Sequence, residues 1–539
     1  MREAAASEDV EADVLVIGAG ASGAASAWRL ASQGFKVVCL EQGDWLDYLE
    51  IPSTKDDWEL VRQREWNPSP NVRGLPADYP VNDSDSPIKA LMYNAVGGTT
   101  LMWSCHAPRF HPSDFKTNSL DGVGANWPLS YWDLEPYYDL NDKMCGISGL
   151  SGDPSNPPRS ARQRAPMPIG KGAARLASAM DDMGWHWWPN DVQALSSAYG
   201  EETGDCNNCG PCEVACPVRA KGSTDVTYWP KALDAGIRLI TKARVFEIET
   251  DANGNAVGAA YYDRNKVARR VRAKRVIVAA NGIGTPRLLQ LSVSKKHPNG
   301  LANGSGLVGR NLMLHPIALV TGLFDEDLEG YKGITANCIT SQEFYETDDS
   351  RDYKRGYMVQ FLRSFGPVLT SLAGYGVPVP WGEKHHSRFL DVFNHTASAG
   401  IVCEDIADPD NRITLDSDLT DGDGIPAPKM TYTLSENSKN MLAHGIESCT
   451  KIMENAGAKE VHNIELVEQA GWHLMGTARV GDDPEQSVLN KWNQAHDVPN
   501  LYVVDGSAFA TAAAVNPTNT LQALALRAAD HIAQTRGEL

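Results

Sequence analysis

The sequence predicts an α/β protein. A doubly wound, Rossmann-like dinucleotide-binding domain, discontinuous along the chain, is joined to a second domain on a mostly antiparallel sheet with helices. Three observations predict this. Asp13 to Glu41 reads as buried strand, glycine turn, small-residue helix, second strand and closing acid. A second strand–turn–helix unit, Arg275 to Leu289, follows about 260 residues later. Residues 317–465 alternate in strand fashion around one clear helix, and the tail from Leu501 returns to the first pattern. A doubly wound sheet carrying a long insertion accounts for all three.

The first unit is Val14 to Ile17, the turn Gly18-Ala-Gly20-Ala-Ser22-Gly23, the helix to Gln33, and Phe35 to Leu40. Gly18 allows the tight turn. Gly20 lets a pyrophosphate lie against the backbone, and Gly23 lets the helix pack close to the sheet. The helix N-terminus offers free N–H groups to phosphate, beside Ser22. Glu41 follows Gly23 by 18 residues, where an acid would bind adenosine ribose hydroxyls. The fingerprint alone leaves NAD and FAD open.

Bulk properties narrow the class. The 539 residues suffice for two large domains or one with a big insert. The chain is 42% hydrophobic and has no apolar run as long as a membrane span. Its net charge of −19, with no basic patch, argues against nucleic acid or an anionic membrane surface as partner. Met1 to Glu11 is short and acidic, without an apolar segment or twin arginine, so no signal peptide is expected. The expected location is cytoplasmic, with the periplasm open if a partner subunit carries the chain out. Six scattered cysteines (Cys39, Cys105, Cys145, Cys338, Cys403, Cys449) read as buried small hydrophobes.

Asp44 to Pro87, rich in Pro, Asp, Trp and Asn, reads as long surface loops. Val96 to Trp103 is a glycine turn, Gly97-Gly98-Thr99, entering apolar residues, where backbone could approach a flat ligand. A helix is expected from Ser130, and a mobile loop over Ser151 to Arg164. Trp185 to Trp188 reads as core or interface. Helix is expected over Ser223–Ala235, strands over Ile237–Ile240 and Arg244–Glu249, and a hairpin over Ala256–Asp263 and Arg269–Ala273. Arg275 to Ala280 is a buried strand entering a helix with Pro286 in its first turn. Near the C-terminus, Leu501 to Gly506 is a strand ending in Asp505-Gly506, and Asn516-Pro517-Thr518 opens a small-residue helix. That helix start is a second place to hold a cofactor.

These motifs resemble the glucose–methanol–choline family of FAD-dependent alcohol oxidoreductases, over essentially the whole chain. The resemblance rests on the N-terminal fingerprint, Gly97-Gly98-Thr99, Trp127-Pro128, Gly282-x-x-Thr285-Pro286 and Gly309-Arg310-Asn311-x-x-x-His315-Pro316. It rests also on His473-x-x-Gly476-Thr477 and Asp505-Gly506 with Asn516-Pro517-Thr518. Leu134 to Tyr138 and Asn490 to Asp497 look closest to large subunits of bacterial sugar dehydrogenases of the fructose, gluconate and glucoside type, and pyranose oxidases are also similar. The resemblance implies FAD. It makes His473 the active-site base and Asn516 its partner, and it adds Trp103, Val245 and Ala280 to the cofactor contacts. A neutral imidazole of ordinary pKa about 6.5 suits removal of an alcohol proton. Relatives that bind flavin covalently carry His where this chain has Met102, which cannot form the link, so FAD is expected to be non-covalent. Asn281-Gly282 departs from the Gly-Ala of many relatives.

Cys206-x2-Cys209-x2-Cys212-x3-Cys216-Pro217 has ferredoxin-like spacing. An iron–sulfur cluster is expected there, 3Fe-4S or 4Fe-4S; zinc, disulfides and free thiols are the alternatives. The expected division is a FAD-binding domain over 1–316, with insertions 44–90 and 145–220, a substrate domain over 317–465, and a return over 466–539. The expected activity is oxidation of a CH–OH group of a sugar, glycoside or other alcohol. Electrons would leave through the cysteine cluster, with a small subunit and a cytochrome as partners. An oxygen-using oxidase with structural cysteines, and a non-catalytic electron-transfer subunit, are the alternatives.

Overall fold

Val10–Ile17 lies near the middle of a seven-stranded sheet and is buried over Val14 to Ile17. The computed structural model describes residues 10–197, 203–334, 339–374 and 376–538. Cys338 and the N-terminal Met1 to Asp9 lie outside them; the other five scattered cysteines are buried free thiols. The sheet runs Arg238–Ile240, Val37–Leu40, Val10–Ile17, Ala268–Val278, Ala256–Tyr262, Arg244–Thr250, with Leu501–Val503 also paired to Ala268–Val278. The first four strands and Leu501–Val503 run parallel. Ala256–Tyr262 is antiparallel to both neighbours.

The hairpin strand at Arg269 and the buried strand at Arg275 are one element, Ala268–Val278. Its first half pairs with Ala256–Tyr262 and its second with Leu501–Val503. The sequence therefore changes from alternating to continuously apolar within one strand, as exposure on one face gives way to cover on both. Helices Ala21–Ser32 and Thr518–Gln534 pack together on this sheet, tied by Arg29 to Asp530 at 2.6 and 3.0 Å.

A six-stranded antiparallel sheet forms the second layer system. Its order is Glu460–Ile464, Ile317–Leu323, Thr396–Cys403, Tyr357–Leu362, Ile339–Ser341, Trp188–Pro189. Helices Glu436–Asn455 and Gly170–Met183 bury their apolar stripes against one face with Trp185 and Trp187. The other face turns Ile317, Gln360, Leu362 and Val402 toward a cavity. A three-stranded sheet, Arg412–Thr420, Pro426–Thr431 and Asn82–Asp85, completes the fold.

Two loop expectations are corrected. Asp44 to Pro87 is not a run of surface loops: it forms helices Trp58–Arg62 and Pro70–Arg73 and buries Glu59, Asn67, Arg73 and Asp78. Its buried charges find partners within the segment and across the fold. Arg73 pairs with Asp78, and Glu59 accepts from the amide of Val368 at 2.9 Å. Ser151 to Arg164 is likewise anchored. Arg162 grips Asp191 at 2.6 and 2.8 Å, Ser160 bonds Asp139 and His186 meets Asp153. Polar composition marks a segment as soluble, but not whether its charges find partners. No helix among the described residues is long and apolar enough to cross a membrane.

Candidate active site

Both strand–turn–helix units and the C-terminal helix point their N-terminal ends into one cavity of about 380 Å³. Gly18, Gly20, Ser22 and Glu41 line one end; His473, Asn516, Pro517 and Thr518 line another part. Gly98, Thr99, Met102, Trp103, Val245, Ala280, Asp505 and Gly506 line the wall between. Of the residues proposed from the sequence, Gly23 and Gly97 stand behind this wall. A Cβ on Gly23 would meet Gly18 O at 1.9 Å, and the Gly97 amide donates to Ala19 O at 2.9 Å. Both shape the turn without facing the cavity.

The fingerprint end of the cavity has the features of a dinucleotide phosphate site. Gly20 caps the helix Ala21–Ser32 with no side-chain hydrogen bond, and the first turn carries no acid. Its N–H groups are left for a phosphate. A Cβ on Gly20 would find only Gly98 Cα, at 3.9 Å, so its open side faces the cavity. Glu41 accepts from the amides of Ala19 and Gly43, each at 2.8 Å, which aims the carboxylate. Burial pushes its pKa up to about 7 against these bonds. The Trp103 indole N–H is buried without a partner in the cavity wall. Asn281 fits its position for two reasons. It adopts a left-handed φ of 68°, and its Oδ1 accepts from Ile283 and Gly284, capping the second helix at 2.9 and 3.0 Å. Asp505 is held by Thr285 and Ser507, joining the second unit to the C-terminal one.

Around His473 a chain of fixed tautomers appears. His315 Nε2 lies 2.9 Å from the carbonyl of Ala513, so this nitrogen carries the proton. His315 Nδ1 is then an acceptor, 2.7 Å from His473 Nδ1, which must donate. Nε2 of His473 is left as the bare nitrogen, 3.4 Å from Asn516 Nδ2. Gln360, from the other domain's sheet, donates to Asn516 Oδ1 at 2.5 Å and so turns the Asn516 N–H groups toward His473. Burial, then His315 and His106, hold His473 well below the ordinary histidine pKa. Burial lowers His315 to about 4. Both rings are therefore neutral at pH 7. In the sequence His315 shows only as part of its motif and Gln360 carries no signal, because neither adjoins His473 in the chain.

The cysteine loop lies beside this cavity. Cys206 and Cys212 pack, as Trp103 does, against the buried cluster that contains Cys105 and Val192, and Glu213 reaches the lining. The four cysteines are free thiols, and no group of three or more His, Cys, Asp or Glu among the described residues is gathered to hold a metal. As they stand, these thiols do not fit an iron–sulfur cluster. Spacing sets how close four thiols can come, whereas the loop backbone decides whether they converge.

Comparison with known proteins agrees with this geometry. Family models described as GMC oxidoreductase match residues 12–317 and 407–525. The chain is 42% identical to 2-methyl-1,2-propanediol dehydrogenase of Mycolicibacterium austroafricanum, covering 97% of this chain and 95% of that one. It is 31% identical to the fructose dehydrogenase large subunit of Gluconobacter japonicus, covering 97% and 98%. A solved formate oxidase of Aspergillus oryzae superposes with a TM-score of 0.64 at 14% identity, over 99% of this chain and all of that one.

Proposed function

The chain belongs to the GMC oxidoreductase family, and from that premise we propose that it dehydrogenates a small polyhydroxylated alcohol or sugar, with His473 as the base. FAD is the cofactor this family uses, and its relatives oxidise alcohol and sugar substrates. Bound FAD would supply the hydride acceptor for the carbinol carbon. The chain's residues do the rest. Gly18 to Gly23 and Glu41 would hold the adenosine and pyrophosphate end without a covalent tether, Met102 offering no attachment point. His473 Nε2 accepts the alcohol proton, and the Asn516 N–H groups hold the oxygen beside it. Leu362, Val402 and Trp472 keep that space apolar. The observation that carries this reading is the His315–His473 pair, which leaves a bare nitrogen facing the cavity.

His315 acts through His473 as a positioning residue. His315→Phe should slow flavin reduction by about 10- to 100-fold, the cost of a buried, unpartnered Nδ1–H, with FAD content unchanged. His315→Gln, which restores an acceptor, should recover part of the rate. Equal rates in wild type and His315→Phe would remove His315 from the mechanism.

The named activities of relatives and the position of the Cys206–Cys216 loop support a dehydrogenase using an external acceptor. In that reading a small subunit and a cytochrome would take the electrons, and a cluster at the cysteines would require the Cys206–Cys216 loop to rearrange around the metal. Iron and sulfide analysis with a visible spectrum decides. Bound iron in proportion to flavin supports the relay. Flavin without iron, with stoichiometric peroxide on turnover, would make the protein an oxygen-using oxidase and leave the cysteines structural.

A further inference from the structure

One histidine lining the cavity takes no part in this proton transfer. His106 is only 3% exposed and lies on the loop following Trp103. That loop is held by backbone bonds from Ala107 to Asp191 and from Gln193 to Cys105, at 2.9 and 2.8 Å. It lines the same cavity as His473. Its Nδ1 is 2.6 Å from Asn190 Nδ2, which can only donate. Nδ1 is therefore the acceptor, and Nε2, the nitrogen left for the cavity, carries the proton. Burial holds this imidazole neutral, its pKa lowered to about 3. The ring is near enough to His473 for charge on one to oppose charge on the other. Two neutral histidines of opposite sense thus share one chamber. His473 presents a lone pair, and His106 presents an N–H.

The reacting hydroxyl uses the lone pair of His473 and the N–H groups of Asn516. An N–H on a second wall suits a different oxygen. Oxygens on adjacent carbons lie about 3 Å apart, and each hydrogen bond adds about 2.9 Å, so groups up to about 8 Å apart can hold such a pair.

We propose that His106 is a specificity residue whose Nε2–H donates to a second substrate oxygen, on the carbon next to the reacting carbinol. The enzyme thereby selects 1,2-diols and the vicinal hydroxyls of sugars over simple alcohols. This rests on the alcohol-oxidising reading above. With a monohydric alcohol, the buried N–H loses water and gains nothing, and that loss sets the discrimination.

The test follows flavin bleaching anaerobically in the FAD-loaded enzyme. The substrates are 1,2-propanediol against 1-propanol, and trans-1,2-cyclohexanediol against cyclohexanol. Wild type should prefer each diol by roughly 10- to 100-fold in kcat/KM, mainly through KM. His106→Leu should abolish the preference by weakening the diols alone. His106→Gln, whose amide can donate from a similar place, should retain much of it. A second variant leaves the ring in place. Asn190→Asp accepts the Nδ1 proton, so His106 Nε2 loses its donor role as a neutral ring, and diol preference should fall while bound FAD is unchanged. Diol and monohydric rates that fall together in His106→Leu and Asn190→Asp, or a wild type without preference, would overturn the assignment and leave alcohol oxidation standing. A flavin that no alcohol or sugar reduces would instead overturn the reading beneath it.

Discussion

His473→Ala should slow flavin reduction by alcohol about 10²- to 10⁴-fold, the usual worth of a positioned general base, while FAD stays bound. Rapid-mixing absorbance of the flavin band measures the step directly. His473 contacts the cavity through Nε2 and is held from behind by His315, so removing it takes away the proton acceptor without opening the nucleotide end. The pH dependence carries a sign. Protonation of His473 would block it as a base, and its pKa lies well below 6.5 through burial and the neighbouring His315 and His106. The neutral form therefore persists as pH falls, and the acid limb of kcat/KM should lie below pH 6.5. An acid limb at pH 7 or above, or full activity in His473→Ala, would show that another group takes the proton.

Gly20→Val should fold and emerge as apoprotein, its flavin-to-protein ratio reduced at least about tenfold. The three fingerprint glycines differ physically. Gly18 has φ of 105°, and a Cβ there would lie 2.4 Å from Ala279 O. Gly23 has room for nothing, because Gly18 O would be 1.9 Å away. Substituting either disrupts the turn itself. Gly20 has a negative φ of −77° in extended backbone, with no left-handed strain, and a Cβ there would have its nearest neighbour 3.9 Å away. The added side chain therefore occupies the space for the pyrophosphate, and stability should change by no more than about 1 kcal/mol. Circular dichroism and a melting curve check the fold, and absorbance after repurification checks the cofactor. A fully loaded Gly20→Val protein would mean that the contacts along the cavity wall hold FAD without this loop.

The sequence by itself determined the Rossmann-like sheet and the candidate for the base. Val14 to Glu41, Arg275 to Leu289 and Leu501 to Thr520 are local patterns, in which strand, turn and helix adjoin in the chain, so periodicity and glycine placement suffice to read them. His473 and Asn516 were legible because each sits in a short motif of its own. Tertiary structure alone decided how those residues are oriented. His315 precedes His473 by 158 residues, and Gln360 precedes Asn516 by 156, and only folding brings each pair within hydrogen-bonding distance. The same holds for His106 and Asn190, whose 2.6 Å contact selects the tautomer facing the cavity. The buried ion pairs of 44–87 and the conformation of the Cys206–Cys216 loop belong to this class too. A residue's type sets which proton it can carry. Its partner in space, placed by distant parts of the chain, decides on which nitrogen that proton sits and which way it points.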